Sequence, residues 1–158
     1  MRLSKTKKFL ISVITPQLAG LIGSLATMPK IDGWYATLEK SALNPPGFVF
    51  APVWTTLYLM MGVAFFLVWT NRRDKFEFRF AAFIFFLQLV VNTSWSIAFF
   101  GLESPVLALA VIAWLWLLIV LNIVLFYRLN KWAGLLLIPY LLWVSFASYL
   151  NYMVWILN

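Results

Sequence analysis

The chain is 158 residues long, 64% hydrophobic and only 11% charged, where a soluble domain carries roughly a quarter charged residues, so its composition points to lipid as the solvent. It contains no cysteine and no histidine, which excludes disulfides, thiol nucleophiles, the usual zinc clusters, histidine-ligated haem and the commonest general base. The 12 Lys and Arg against 5 Asp and Glu suit a membrane better than nucleic acid, because the basic groups cluster in short loops.

Apolar runs lie at about 9–28, 47–70, 77–101, 105–128 and 132–156. Each reaches the roughly 20 residues that cross a hydrocarbon core about 30 Å thick at about 1.5 Å per residue. The fold class they predict is all-α, a bundle of five transmembrane helices forming a single membrane domain over 1–158. The first run follows Arg2, Lys5, Lys7 and Lys8. Its length, with Pro16 and Gln17 in its middle and no A-x-A site, predicts a span rather than a cleaved leader. Ala19, Gly23 and Thr27 form a small-residue stripe suited to close helix packing.

The longest connection, Lys30 to Pro46, ends in Asn44-Pro45-Pro46-Gly47. Each proline disfavours helix in the residue before it, so the second span starts sharply. This loop is either a lid or a plain connector. Asn71 to Arg79 is short and charged, Leu102 to Pro105 and Leu129 to Lys131 are tight turns, and Pro139 predicts a kink in the fifth span.

Arg2, Lys5, Lys7, Lys8, Arg72, Arg73, Lys75, Arg79, Arg128 and Lys131 fall on one side, and only Lys30 and Lys40 on the other. That asymmetry places the N-terminus in the cytoplasm and Asn158 outside. The five acidic residues, Asp32, Glu39, Asp74, Glu77 and Glu103, all sit in loops or at helix ends. No charge relay is therefore expected at mid-membrane.

Nine tryptophans must be accounted for. Trp34, Trp69, Trp132 and Trp155 lie at span ends, where an interfacial belt explains them. Trp54, Trp95, Trp114, Trp116 and Trp143 lie inside spans. Counted from the outer ends, Trp54, Trp95, Trp114 and Trp143 sit roughly 9 to 20 Å deep, beneath the long loop.

Helical spacing groups Gln88, Asn92, Trp95, Ser96 and Phe99 on one stripe of the third span. Phe50, Trp54, Tyr58 and Met61 share a stripe on the second, and Tyr140, Trp143, Ala147 and Asn151 on the fifth. Amides beside aromatic faces suit a large, flat, mostly apolar ligand. They equally suit interhelical hydrogen bonds that hold the bundle together; spacing alone leaves both open.

Trp34-Tyr35, Leu38-Glu39-Lys40 through Asn44-Pro45-Pro46, and Pro52-Val53-Trp54-Thr55-Thr56-Leu57-Tyr58 resemble the translocator protein family. This family includes the tryptophan-rich sensory proteins (TspO) and peripheral-type benzodiazepine receptors. The likeness continues through Gln88-Leu89, Asn92-Thr93-Ser94-Trp95, Phe99-Phe100-Gly101, Pro139-Tyr140-Leu141-Leu142-Trp143 and Leu150-Asn151-Tyr152. It covers essentially the whole chain in order.

The resemblance implies a five-helix bundle, commonly a homodimer, that binds protoporphyrin IX or related tetrapyrroles and sterol-like or benzodiazepine-type molecules. No cofactor or metal is required. It implies a pocket beneath the first long loop lined by Trp54, Tyr58, Asn92, Trp95, Trp143 and Ala147, with Trp34 and Pro45 in or near the lid. Spacing and depth add Phe50, Gln88, Ser96, Phe99 and Trp114 as candidates. It also implies that Trp54 and Trp143 take part in light-dependent porphyrin breakdown, as in some members.

Two departures are visible. Leu43 stands where the family's Lys-Pro-x-Trp-x-Pro-Pro loop has its tryptophan, and no basic residue follows Tyr152 to complete a sterol motif. Three functions follow as hypotheses: a tetrapyrrole-binding sensor, scavenger or transporter; a tryptophan-mediated photochemical enzyme; and a structural protein whose aromatics only pack helices. Ordinary acid–base or metal catalysis has no residues in the spans to carry it.

Overall fold

The computed structural model describes residues 3–71 and 75–158. Every regular element within them is helical. Arg2, Arg72, Arg73 and Asp74, used in the charge argument, lie outside the described residues.

Helix α1 (Lys5–Ile31) starts ahead of the first apolar run because Ser4 caps it, its hydroxyl accepting from the Lys7 amide at 3.3 Å. Such a cap satisfies one of the amides that every helix start leaves unpaired. A single turn, α2 (Trp34–Thr37), interrupts the first loop. Helix α3 (Gly47–Thr70) begins directly after Pro45-Pro46, as the restriction before proline requires.

Helix α4 (Lys75–Ser96) runs into a π-helical turn, Ile97–Gly101. Its wider spacing is seen where the Leu102 amide donates to the Ile97 carbonyl at 2.8 Å. The turn buries both Phe99 and Phe100. Helix α5 (Pro105–Leu129) opens with a Ser104 cap and proline at its start, where no N–H is needed.

The fifth apolar run divides into α6 (Lys131–Leu136), capped by Asn130, and α7 (Ile138–Leu157). The kink expected at Pro139 is thus a break at Leu137. Proline has no amide to bond backwards, so it sits comfortably in the first turn of a new helix.

The five stretches Lys5–Ile31, Gly47–Thr70, Lys75–Gly101, Pro105–Leu129 and Lys131–Leu157 are each long and apolar enough to cross a membrane. Leucines, isoleucines and phenylalanines stand exposed along their outer faces, an arrangement that water penalises and lipid does not. Inside, α5 packs on α4, α6 and α7, while α1 packs on α3 and α4.

The half of the bundle remote from the first loop is solid. Phe65 stacks on Phe85 with centroids 4.7 Å apart, and Phe85 on Phe126 at 5.7 Å. The half beneath the loop is not filled in this way, and the site lies there.

Candidate ligand cavity

A cavity of about 590 Å³ opens between α1, α3 and α4 beneath the first loop. Among the described residues, no charged side chain lines it. Small-molecule sites typically span about 300–1,000 Å³ and are mostly apolar with a few placed polar groups. Helix α1 contributes Gln17, Gly20, Ser24 and Thr27, one helical face; α3 contributes Phe50, Ala51, Trp54, Thr55 and Tyr58. From α4 and its π turn come Asn92, Trp95, Ser96 and Phe100, and the roof is Tyr35, Asn44 and Pro45.

The floor is a buried chain of neutral hydrogen bonds. Tyr58 Oη donates to Asn92 Oδ1 at 2.7 Å, Asn92 Nδ2 donates to Tyr140 Oη at 3.0 Å, and Tyr140 Oη donates to Gln88 Oε1 at 2.9 Å. Three spans are thereby tied beneath the cavity. Tyr58 also stacks under Trp54, with ring centroids 5.4 Å apart and planes inclined by 28°. Gly20 permits this position, because a Cβ there would collide with the Tyr58 ring.

Trp95 is held from behind. Its Nε1 donates to Asn151 Oδ1 at 3.1 Å, and Asn151 Nδ2 donates to the Pro105 carbonyl at 2.9 Å. Its ring stacks on Phe99 at 5.4 Å. The roof rests on the π turn, with Trp34 on Phe99 at 5.5 Å and Tyr35 on Phe100 at 5.5 Å. Tyr35 Oη donates to Asn44 Oδ1 at 3.3 Å, and Lys40 Nζ lies 4.7 Å from the Tyr35 ring. Burial raises the Tyr35 pKa above that of a free phenol, with the Asn44 bond opposing it, so the hydroxyl stays neutral.

The TspO/MBR family model matches residues 12–156 of this chain. The chain belongs to the TspO/MBR family. It is 45% identical over 139 residues to the tryptophan-rich protein TspO of Chlorobaculum tepidum, covering 88% of each chain. To the protein of the same name from Archaeoglobus fulgidus it is 40% identical over 151 residues, 96% of this chain and 97% of that one. To the translocator protein of Sus scrofa it is 33% identical over 143 residues, 90% of this chain and 85% of that one. It is an integral, multi-pass membrane protein of the TspO and translocator type.

Of the candidate residues, Pro45, Phe50, Trp54, Tyr58, Asn92, Trp95 and Ser96 meet at the cavity. Gln88 lies one layer below, in the floor network. Trp34 braces the roof from outside through Phe99 and Phe100. Phe99 and Ala147 line a separate crevice of about 40 Å³ on the far side of Trp95. Trp143 does not line the cavity; it stands behind Phe50, with ring centroids 5.9 Å apart, and its buried Nε1 finds no partner among the described residues.

Trp114 is misplaced by the depth argument. It is 66% exposed on the outer surface, because the inward stripe of α5 is Ala108, Ile112, Leu115, Ile119, Asn122 and Phe126. Depth cannot distinguish neighbouring residues about 100° apart around a helix. Asn122 carried the missing signal: counting back seven residues from it places Leu115, not Trp114, inside. Leu43, standing where the family has tryptophan, is 64% exposed and lines neither cavity nor crevice.

The α1 wall was also missed. Ala19 and Gly23 do pack against α4, as a small-residue stripe should: Thr93 Oγ1 donates to the Ala19 carbonyl at 3.1 Å, and a Cβ on Gly23 would stand 3.1 Å from Ser96 Oγ. Gln17, Gly20 and Ser24, at i, i+3 and i+7 beside that stripe, were the polar face that marked the site.

Proposed function

We propose that the protein binds tetrapyrroles such as protoporphyrin IX, and similar flat apolar molecules, in this cavity, in a sensory, scavenging or transport role. The observation that carries this reading is an uncharged cavity with Trp54 and Trp95 on two walls and an amide–phenol floor. A macrocycle offers two apolar faces to indole rings, which prefer offset stacking. Tyr58, Asn92 and the α1 hydroxyls remain to orient a few polar edges. Benzodiazepine-type molecules fit the same description; sterol-like ones fit less well, without a basic residue after Tyr152. The N-terminus lies in the cytoplasm and the first loop outside, an orientation that the asymmetry of basic residues supports, and the family resemblance carries the expectation of a homodimer.

Titration of purified protein with protoporphyrin IX, followed by tryptophan fluorescence in detergent, is the test. Saturable quenching beyond that of empty micelles is expected, with affinity falling about tenfold in Trp54→Ala as a stacking face is lost. Quenching indistinguishable from partition into micelles sinks the proposal. Repeating the titration under light addresses the photochemical reading, which Trp54 favours as an indole at the cavity wall. Porphyrin product spectra unaffected by Trp54→Phe remove that reading and leave binding.

A further inference from the structure

We propose that the cavity is loaded sideways from the bilayer, through a gap between α1 and α3, rather than through the first loop. This rests on the ligand-binding reading above. At the end remote from the loop α1 and α3 touch so tightly that a Cβ on Gly62 would lie 2.6 Å from Val13 Cα. One cross-link follows, Gln17 Nε2 donating to the Thr55 carbonyl at 3.0 Å.

Above that bond Gly20 still meets the Tyr58 ring, and beyond it α1 turns its attachments to the other side. Thr93 donates to Ala19, Gly23 abuts Ser96, and Lys30 Nζ pairs with Glu103 Oε1 at 2.7 Å. The α3 edge of the gap is Gly47, Ala51 and Thr55, small, exposed and spaced four apart, and all three line the cavity. The α1 edge is Leu21 and Met28, 60% and 68% exposed. No side chain on either edge is charged. The gap extends from Leu21 to Ile31, roughly 15 Å along α1, long enough for a macrocycle to pass edge-on.

The loop, by contrast, is fastened on the side away from the gap. The Glu39 amide donates to Asn158 Oδ1 at 3.0 Å, and Asn158 Nδ2 donates back to the Glu39 carbonyl at 3.0 Å. Ser41 Oγ and Tyr149 Oη lie 3.1 Å apart, and Trp34 and Tyr35 are wedged on Phe99 and Phe100. Lifting the loop breaks all of these; passage between α1 and α3 breaks none.

The chain has no cysteine, so a Leu25→Cys variant, on the exposed α1 rim between Leu21 and Met28 and outside the cavity lining, can be modified after folding, at one site, with a methyl-sized or a benzyl-sized thiol reagent. Association and dissociation of protoporphyrin IX are then timed by stopped-flow quenching in phosphatidylcholine nanodiscs. The bulky adduct is expected to slow both rates about tenfold and leave Kd within about twofold, the signature of an obstructed passage. A Ser41→Ala/Asn158→Ala variant, with the loop unfastened, is expected to keep both rates.

Rates indifferent to the bulky adduct overturn the portal, as does faster association in the unfastened variant. Slower association with unchanged dissociation also overturns it, because the adduct then damages the site and not the route. Wild-type protein that fails to quench saturably removes the binding reading itself, and the portal with it.

Discussion

Gly62→Val is expected to produce the largest loss of stability of any single substitution considered for this bundle. At this position α1 and α3 meet backbone to backbone: an added Cβ lies 2.6 Å from Val13 Cα and 2.7 Å from the Ser12 carbonyl oxygen. Four residues on, Pro16 has no N–H to offer that carbonyl, and the space beside it is filled by the bare Gly62 backbone. In a bilayer, helices gain little from the hydrophobic effect between them, so close approach of small residues supplies much of the association. No flexible side-chain tip can yield here, and forcing the helices apart is expected to cost about 3 kcal/mol. Thermal unfolding in detergent reads this directly, with Gly62→Ala intermediate between wild type and valine. Because α1 is also a cavity wall, ligand affinity should fall with stability. An unchanged unfolding midpoint for the valine variant would mean that α1 is not seated on α3 as described.

The second large effect is expected at Asn92, which both lines the cavity and joins three spans. Leucine in its place leaves the Tyr58 hydroxyl without an acceptor and removes the bond to Tyr140, while Tyr140 keeps Gln88. Interhelical hydrogen bonds in membranes are each worth about 0.6 kcal/mol, with values near 1.7 at the upper end. Losing two and stranding a buried hydroxyl is expected to cost about 2 kcal/mol. The Tyr58 ring then loses its anchor beneath Trp54, so protoporphyrin affinity drops as well.

Gln88→Leu separates the two consequences. Gln88 sits deeper and does not line the cavity, so its loss should lower stability comparably while the Tyr58–Asn92 bond, and hence affinity, is largely retained. Equal affinity losses in the two variants would contradict a floor organised around Asn92.

These two positions also illustrate how far the sequence can be read. Asn92 was legible: an amide four residues from Gln88 and three from Trp95, in an apolar helix, announces an inward face whatever its purpose. Gly62 was not, since a glycine among apolar residues gives no hint of which backbone it will meet. The five spans followed from hydropathy alone, and the sharp start of α3 from its two prolines.

Rotation about a helix axis was legible only where a polar residue marked it. Trp95 could be aimed by Asn92 and Gln88. Trp114, in a helix apolar all round, could be aimed only by Asn122 eight residues away. Trp143 shares its face with Tyr140, yet Phe50 from α3 stands between it and the cavity, a contact between distant segments that no local spacing encodes. The α1 wall was hidden because its small residues serve packing on one edge and the cavity on the next.

The central claim is that ligand occupies the space between α1, α3 and α4, and thiol protection tests it most directly in this cysteine-free chain. Ser24→Cys, on the α1 wall, and Ala147→Cys, in the crevice beyond Trp95, are reacted separately with a membrane-permeant maleimide, with and without saturating protoporphyrin IX. Ligand is expected to slow modification at position 24 about tenfold, by occupancy, and to leave position 147 nearly unaffected. Protection at 147 with none at 24 would move the site to the fifth span and contradict the account.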